Sequence, residues 1–391
     1  MPFYQARRDA FSCDTTCYGR YSSFRSFLSL LGSFICGRLS DRYGRLPLLY
    51  IGITATALGL LLSYQATDVK GLYLAMVPGA LLQNNFSVAK AYFADYASSQ
   101  ASGTAAKSSG EAAGLVGKLG MSVGVSFMLG PMLGGMLVRN FQEGVAVALA
   151  LTAMSGVCVL MIPKLESGVP RGPVGKEKVG STASKKKGKF LDLTPLKSSG
   201  SLTILVLRLL MSLAFHTFMT PWTPSLKDRF DFGPKQHGTF MSFVGLVYAL
   251  SQGFVAKAVV KAVKRNDVIL VVSSLFLSLG RVVAMNTDEL WVVYCCFFFI
   301  IISLGVTNTV ISSTLNTLAP SDEIGGLIGL VGSFESLAGM VGPVVGGKVF
   351  EWGGKGGTLT AVCACYAGVA GISWAGWGKW VEKAERKVKT Q

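Results

Sequence analysis

The chain has 391 residues, 50% of them apolar and only 15% charged, with a mean hydropathy of +0.48. A soluble chain carries charge on about a quarter of its positions, so an ordinary set of soluble domains is excluded. The 37 Lys and Arg against 21 Asp and Glu leave a formal charge of +16, which by itself fits either nucleic acid or an anionic membrane surface.

A helix of about 20 mainly apolar residues crosses the hydrocarbon core of a bilayer. Eleven such stretches follow one another, near 21–36, 46–66, 71–93, 113–138, 143–162, 201–221, 238–260, 267–286, 290–318, 324–350 and 358–378. Residues 1–20 carry Arg7, Arg8 and Asp9 and read as an N-terminal segment without a signal-type apolar core. The first span is the weakest, because Arg25 and five Ser interrupt it. Cations gather in alternate joints: Arg38, Arg42 and Arg45; nine between Lys164 and Lys197; Lys257, Lys261, Lys264 and Arg265; then Lys379 to Lys389. The positive-inside rule puts these joints on the cytoplasmic side. The positive excess is then largely topology, and no nucleic-acid partner is expected. Residues 163–200, rich in Gly, Ser and Lys, read as a flexible basic linker, either solvated or lying on anionic lipid. The linker divides five spans (21–162) from six (201–380), and 381–391 form a basic tail. The eight Cys read as small apolar residues, with neither a disulfide framework nor a metal site.

The two halves share a motif. Gly130-Pro131-Met132-Leu133-Gly134-Gly135 returns 212 residues later as Gly342-Pro343-Val344-Val345-Gly346-Gly347. Gly lets helix backbones approach, and Pro removes a backbone bond, so each copy reads as a close-packing and bending element. A duplicated transporter half predicts both copies at matching places.

The first basic joint reads Gly37-Arg38-Leu39-Ser40-Asp41-Arg42-Tyr43-Gly44-Arg45. It resembles the loop signature G-x-L-[SA]-D-[RK]-x-G-R of the major facilitator superfamily, and the chain is similar to the drug/proton antiporter, tetracycline-efflux-like branch. The resemblance covers about residues 20–380. It implies an all-α membrane protein with the major facilitator fold, two pseudo-symmetric helix bundles and here about eleven transmembrane helices, the family's first helix being absent. It also implies a conformational latch formed by Gly37, Asp41, Arg42, Gly44 and Arg45, with Asp41 meeting the start of the eleventh family helix near Ser321 to Gly326. One carboxylate among three Arg can make charge-assisted bonds that exist in only one arrangement of the halves. The second copy, Gly253 through Arg265, keeps cations but lacks the Asp. Gly117, Ser126 and Gly130-Pro131 follow the family's fifth-helix antiporter motif, with Ser126 in place of its middle Gly. Met76 stands where many proton-coupled relatives carry Arg.

Ionisable side chains at membrane depth are functional candidates. Glu335 falls about ten residues into its span and Arg208 about eight, both near the midplane at about 1.5 Å per residue. They form either a structural ion pair or a coupling site. Without a neighbouring cation, Glu335 would become a proton carrier. Lys90, five residues before Asp95, is placed to snorkel, to pair locally or to meet substrate. The family lines its cavity with helices 1, 4, 7 and 10. The resemblance therefore makes Gln83, Asn84, Asn85, Asp95, Arg208, His216, Thr307, Asn308 and Glu335 the substrate-binding or coupling candidates. His216 reads either as a satisfied hydrogen-bonding residue or as a proton relay.

These features together imply a monomeric, multi-pass integral membrane transporter that moves a small organic solute by alternating access, with proton-coupled antiport as an extension. A second reading is a non-transporting sensor or scaffold on the same fold. No catalytic, metal or cofactor motif is present: there is no His/Cys/carboxylate cluster, G-x-S-x-G elbow or P-loop.

Overall fold

The computed structural model of the protein describes residues 11, 13, 15–82, 85, 88, 89, 92, 108–162, 198–318 and 324–384. Its helices are α1 Thr15–Tyr43, α2 Arg45–Gln65, α3 Val69–Leu82 with helical residues again at 85, 88, 89 and 92, α4 Ser108–Leu137 and α5 Phe141–Leu160. After residues 163–197 come α6 Ser199–Phe230, α7 Pro234–Val263, α8 Asn266–Asn286 and α9 Leu290–Leu318. The continuous helix Ile324–Gly376 breaks where Gly354 takes φ 57° and ψ −148°, giving α10 (324–353) and α11 (355–376), which runs on as a π turn over Trp377–Glu382. Among the described residues seven helices, counting 330–382 as one, are long and apolar enough to cross a membrane, and α3 and residues 124–137 add shorter apolar helices.

Local chemistry sets the ends. Asn140 caps α5 by accepting from the Glu143 N–H at 2.8 Å, while the Glu143 carboxylate accepts from the Arg139 N–H at 2.9 Å. This reciprocal pairing satisfies donors that a helix start leaves open. Asp68 does the same for α3 through the Gly71 N–H at 2.7 Å. Pro234 opens α7 where its missing N–H costs nothing. Asp231 turns the chain out of α6 in the left-handed region, φ 49°.

Three expectations from the sequence are corrected. The helix of the first span is longer than 21–36: α1 begins at Thr15, within the N-terminal segment 1–20, and continues to Tyr43, and as the weakest of the spans it is not among the described helices apolar enough to cross a membrane. The signature 37–43 is accordingly helical, and only Gly44, at φ 98°, makes the turn. The cysteines do include a disulfide, Cys13–Cys17, with Cα atoms 5.3 Å apart, because four-residue spacing at a helix start brings the two side chains together.

Of the helices before the linker, α1, α2, α3 and α5 pack among themselves through α1–α3, α2–α3 and α2–α5, while α4 packs chiefly on α7 among the described residues; α6–α11 pack through α6–α10, α8–α9 and α8–α11. The larger core lies in the second group, where Trp222 stacks between Phe218 and Phe297 and Phe240 meets Phe297 edge to face, with ring centroids 4.9–5.3 Å apart. The outer faces stay apolar, as in Leu151, Met154 and Leu160 of α5, which suits contact with lipid.

Two antiparallel seams, α1–α10 and α4–α7, join the groups. In α4–α7, a Cβ on Gly245 would stand 2.6 Å from the Met128 backbone N, and Gly238 faces the Pro131 carbonyl. The Ser242 hydroxyl donates to the Met128 carbonyl at 2.6 Å. In α1–α10, a Cβ on Gly19 would stand 2.7 Å from the Pro343 carbonyl. Both Pro residues belong to the repeated motif, so each copy docks against a glycine of the opposite group. The packing expectation needs narrowing: Gly135 and Gly346 lie close to neighbouring backbone, but nothing lies within 4 Å of a Cβ on Gly130 or Gly134. Ser126 is exposed and bonds to its own helix at Ser122. Gly117 lies in α4, but its surroundings are outside the described residues.

Because the obstacle at Gly245 is backbone, Gly245→Ala should cost about 1–3 kcal/mol through overpacking. Gly130→Ala should cost only a few tenths or stabilise slightly, since Ala favours helix. Thermal unfolding of the purified variants checks the contrast; equal melting temperatures would contradict the seam.

Candidate functional site

At mid-depth of the second group, three of the candidate residues converge. Arg208 on α6 places Nε 2.7 Å from Glu335 Oε1 on α10, and its Nη1 donates to Asn308 Oδ1 on α9. The Nε–H does not point at the carboxylate and makes no aligned hydrogen bond, so the contact with Glu335 is mainly Coulombic. The Arg208 side chain is 19% exposed and that of Glu335 41%. The cation is thus held in the protein while its counter-charge still faces open space. The carboxylate is accessible without unpacking the bundle.

A further polar contact orients α9 from its other side. The π turn Ser251–Val255 within α7 brings Ser251 Oγ to the Ile302 carbonyl at 3.1 Å and Gln252 Nε2 to the Gly305 carbonyl at 3.1 Å. Thr309 Oγ1 lies 3.3 Å from Gln252 Oε1. The turn of α9 that presents Asn308 to Arg208 is therefore clamped by α7.

The other candidates lie elsewhere. Asn85 presses against Gly52 of α2 and its Oδ1 is buried without a partner, so it packs inside the first group and not beside Arg208. Thr307 is 2% exposed, its hydroxyl likewise unpartnered. His216 lies at the α1–α10 seam: Cβ positions built on Gly342 and Gly339 would fall 2.6 Å from its Cβ and 3.3 Å from its Nε2, and Ser26 Oγ of α1 would be 2.9 Å from the Gly339 position. Thr217 also faces Gly342 and Gly346, while Gly347 lines a small hollow with Arg20, Pro343 and Lys348. Gln83, Asn84, Lys90, Asp95 and Ser321 lie outside the described residues. The backbones of Gly37, Asp41 and Arg42 are helical, but their side chains lie outside the description; Arg45 opens α2.

Sequence reasoning passed over two polar groups. Gln252 precedes the second loop copy, and an amide inside the span 238–260 is a visible signal. Arg281 of α8 is 3% exposed, donates to the Leu277 carbonyl at 2.8 Å and lies 5.3 Å and 5.0 Å from the ring centroids of Phe218 and Tyr366. A cation in an apolar span should have drawn notice; its aromatic partners, on two other helices, had no local signal. In the α7–α8 turn, the Arg265 guanidinium is raised above its ordinary value by its hydrogen bond and charge pairing with Asp267 at 2.6 Å, with Glu382 adding to the effect. Among the described residues no three His, Cys, Asp or Glu gather as a metal site.

A multi-pass helical membrane protein with two glycine-packed seams and a half-open ion pair at mid-depth has the architecture of a solute transporter. The profile described as Major Facilitator Superfamily matches residues 9–343, and the chain belongs to that family of secondary transporters. Its fold is similar to the human organic anion transporter MFSD10 (TETRAN), with a TM-score of 0.67 and 18% identity over 91% of this chain and 83% of that one. It is also similar to a point mutant of the nucleoside transporter NupG, with a TM-score of 0.66 and 14% identity over 96% and 91% of the respective chains. No curated protein matches the chain.

Removing one member of the pair leaves the other charge short of a partner. Glu335→Gln should lower stability by about 1–3 kcal/mol, less than the loss for a fully buried pair because Glu335 is half open to solvent. Adding Arg208→Gln should cost less than the sum of the two single losses, as a thermal-unfolding double-mutant cycle would read; strict additivity would show that the pair carries no coupling.

Proposed function

We propose that this chain moves a small organic solute across the membrane by rocking a first bundle (21–162) against a second (201–380), the two being joined by the basic linker 163–200, in exchange for protons. The observation that carries the reading is the Arg208–Glu335–Asn308 node, a charge pair at mid-depth with one partner accessible. While paired, the carboxylate and the guanidinium neutralise each other; when Glu335 takes a proton, Arg208 and the Asn308 amide are released to meet a polar group of the solute. Amides and a single charge orient a ligand within otherwise apolar walls. The solved transporters of similar fold carry an organic anion and nucleosides by their descriptions, which is the size class proposed. In the same reading the chain belongs to the drug/proton antiporter branch and works as a monomer. Gln83, Asn84, Asn85, His216 and Thr307 complete the solute path, and Asp95 is a second proton-carrying candidate.

Asp41, with Gly37, Arg42, Gly44 and Arg45, is proposed to latch the basic ends of the bundles. The motif residues Gly117, Gly130, Pro131, Gly134, Gly135, Gly342, Pro343, Gly346 and Gly347 are proposed to let the bundles bend and slide as they rock. Two measurements test the scheme. Proteoliposomes under an imposed pH gradient should take up one or more of a panel of fluorescent amphipathic solutes, and Glu335→Gln should remove the dependence on the gradient; uptake of unchanged pH dependence in that variant would reject proton coupling through Glu335. Asp41→Asn should alter the labelling rates of single cysteines placed at the two ends of the seams; identical rates at both ends would reject the latch.

A further inference from the structure

The exposed side of α7 changes character along its length. Leu246, Leu250 and Phe254 are 44%, 46% and 70% exposed, and their four-residue spacing puts them on one helical face. The wider π turn over Ser251–Val255 keeps Phe254 in line with the two Leu. On the same face, Lys257, Lys261 and Lys264 follow at successive turns, all exposed. Among the described residues none of these three forms an ion pair or hydrogen bond through its side chain, whereas Arg265 beside them is already taken by Asp267. Lys264 closes the helix in the left-handed region, φ 54°, with its N–H on the Val260 carbonyl, so the row of ammonium groups ends where the chain turns into α8.

The dimensions fit one kind of occupant. From Leu246 to Lys257 the helix rises about 16 Å at about 1.5 Å per residue, about the hydrocarbon depth of one leaflet, half of a core about 30 Å thick. An acyl chain lying on the apolar part of this face would therefore end at the three lysines. Beside them α11 finishes in its own π turn, with Lys379 and Lys383 exposed and Trp380 42% exposed. Trp at this level is the usual mark of the membrane–water interface. α8 packs against that turn, and the charge of Glu382 reaches Arg265, so both helix ends lie together at one interface.

We propose that Lys257, Lys261 and Lys264 of α7 hold the phosphate headgroup of an anionic phospholipid whose acyl chain lies along Leu246, Leu250 and Phe254. The charge row selects the phosphate and the apolar row selects a lipid over free phosphate. The site is independent of the transported solute. Its mechanical consequence comes from the same helix: α7 carries the seam glycines Gly238 and Gly245 and the Gln252 clamp, so a lipid bound at its basic end bears on the helix that joins the two groups.

The test uses the purified full chain in neutral detergent, with mixed micelles of phosphatidylglycerol or phosphatidylcholine, and reads the melting temperature against lipid concentration. Phosphatidylglycerol should raise the melting temperature more than phosphatidylcholine. Each Lys→Gln change should weaken its apparent affinity about fivefold, the equivalent of about 1 kcal/mol per cation near the surface. The triple variant K257Q/K261Q/K264Q should lose the preference for the anionic lipid, while K379Q/K383Q should keep it. If the triple variant does not fold, K257Q, K261Q and K264Q taken singly read the same row. Equal shifts with the two lipids, a preference surviving in the triple or in all three single variants, loss of the preference in K379Q/K383Q alone, or the full shift reproduced by inorganic phosphate would each overturn the assignment.

Discussion

Everything that lets the two helix groups meet depends on the closeness of a glycine to a proline carbonyl. At one seam Gly19 of α1 faces Pro343 of α10, and at the other Gly238 of α7 faces Pro131 of α4. In a membrane, lipid tails are as apolar as Leu, so burial alone does not drive helices together; close approach and dispersion must do so. The proline adds to this, because it leaves the carbonyl one turn earlier without its intrahelical donor. For Pro131 that carbonyl is Phe127's, which lies against Gly245. Any side chain larger than hydrogen at Gly245 would have to displace main chain. The same construction on both seams is the structural counterpart of the sequence repeat.

The ion pair is built within one of these groups, not across the seams. Arg208, Asn308 and Glu335 come from α6, α9 and α10, all of the second group. Its cost is reduced in two ways: the cation receives an amide oxygen as well as a carboxylate, and the carboxylate keeps part of its hydration. A fully dry pair would bind more rigidly but would be hard to break, since removing either charge from its partner in a low-dielectric interior is expensive. A half-open pair can be exchanged. The Gln252 clamp keeps the α9 turn bearing Asn308 in register with Arg208 by hydrogen bonds that involve neither charge.

Legibility in the sequence followed the range of the interaction. Spans, caps and the alternation of basic joints are local, and α2, α5, α8 and α9 lie close to where hydropathy placed them. The pairing of Arg208 with Glu335 was also readable, since two opposite charges at equal depth have few other ways to be accommodated. That Asn85 and Thr307 lie apart from this node was not legible, because a polar residue within a span does not reveal its facing; Asn85 occupies the space left by the absent side chain of Gly52, and Thr307 is buried among the helices of the second group. Arg281 escaped notice because its partners are two aromatic faces on different helices. The loop signature spans residues 37–45, but helix continues through Gly37 and ends only at Gly44, where φ becomes positive.

The sequence by itself determined a membrane-embedded, duplicated, all-helical chain, its orientation rule and the depth of its charges. Each of these depends on transfer of a side chain between water and hydrocarbon, or on a local repeat, and both are properties of consecutive residues. Only the tertiary structure decided which glycines meet which carbonyls, which of the polar residues share a site, and that α7 presents an apolar row and a lysine row on one outward face. Those outcomes depend on helix rotation and on crossings between residues as far apart as Gly19 and Pro343, where backbone proximity and not residue type sets the energy.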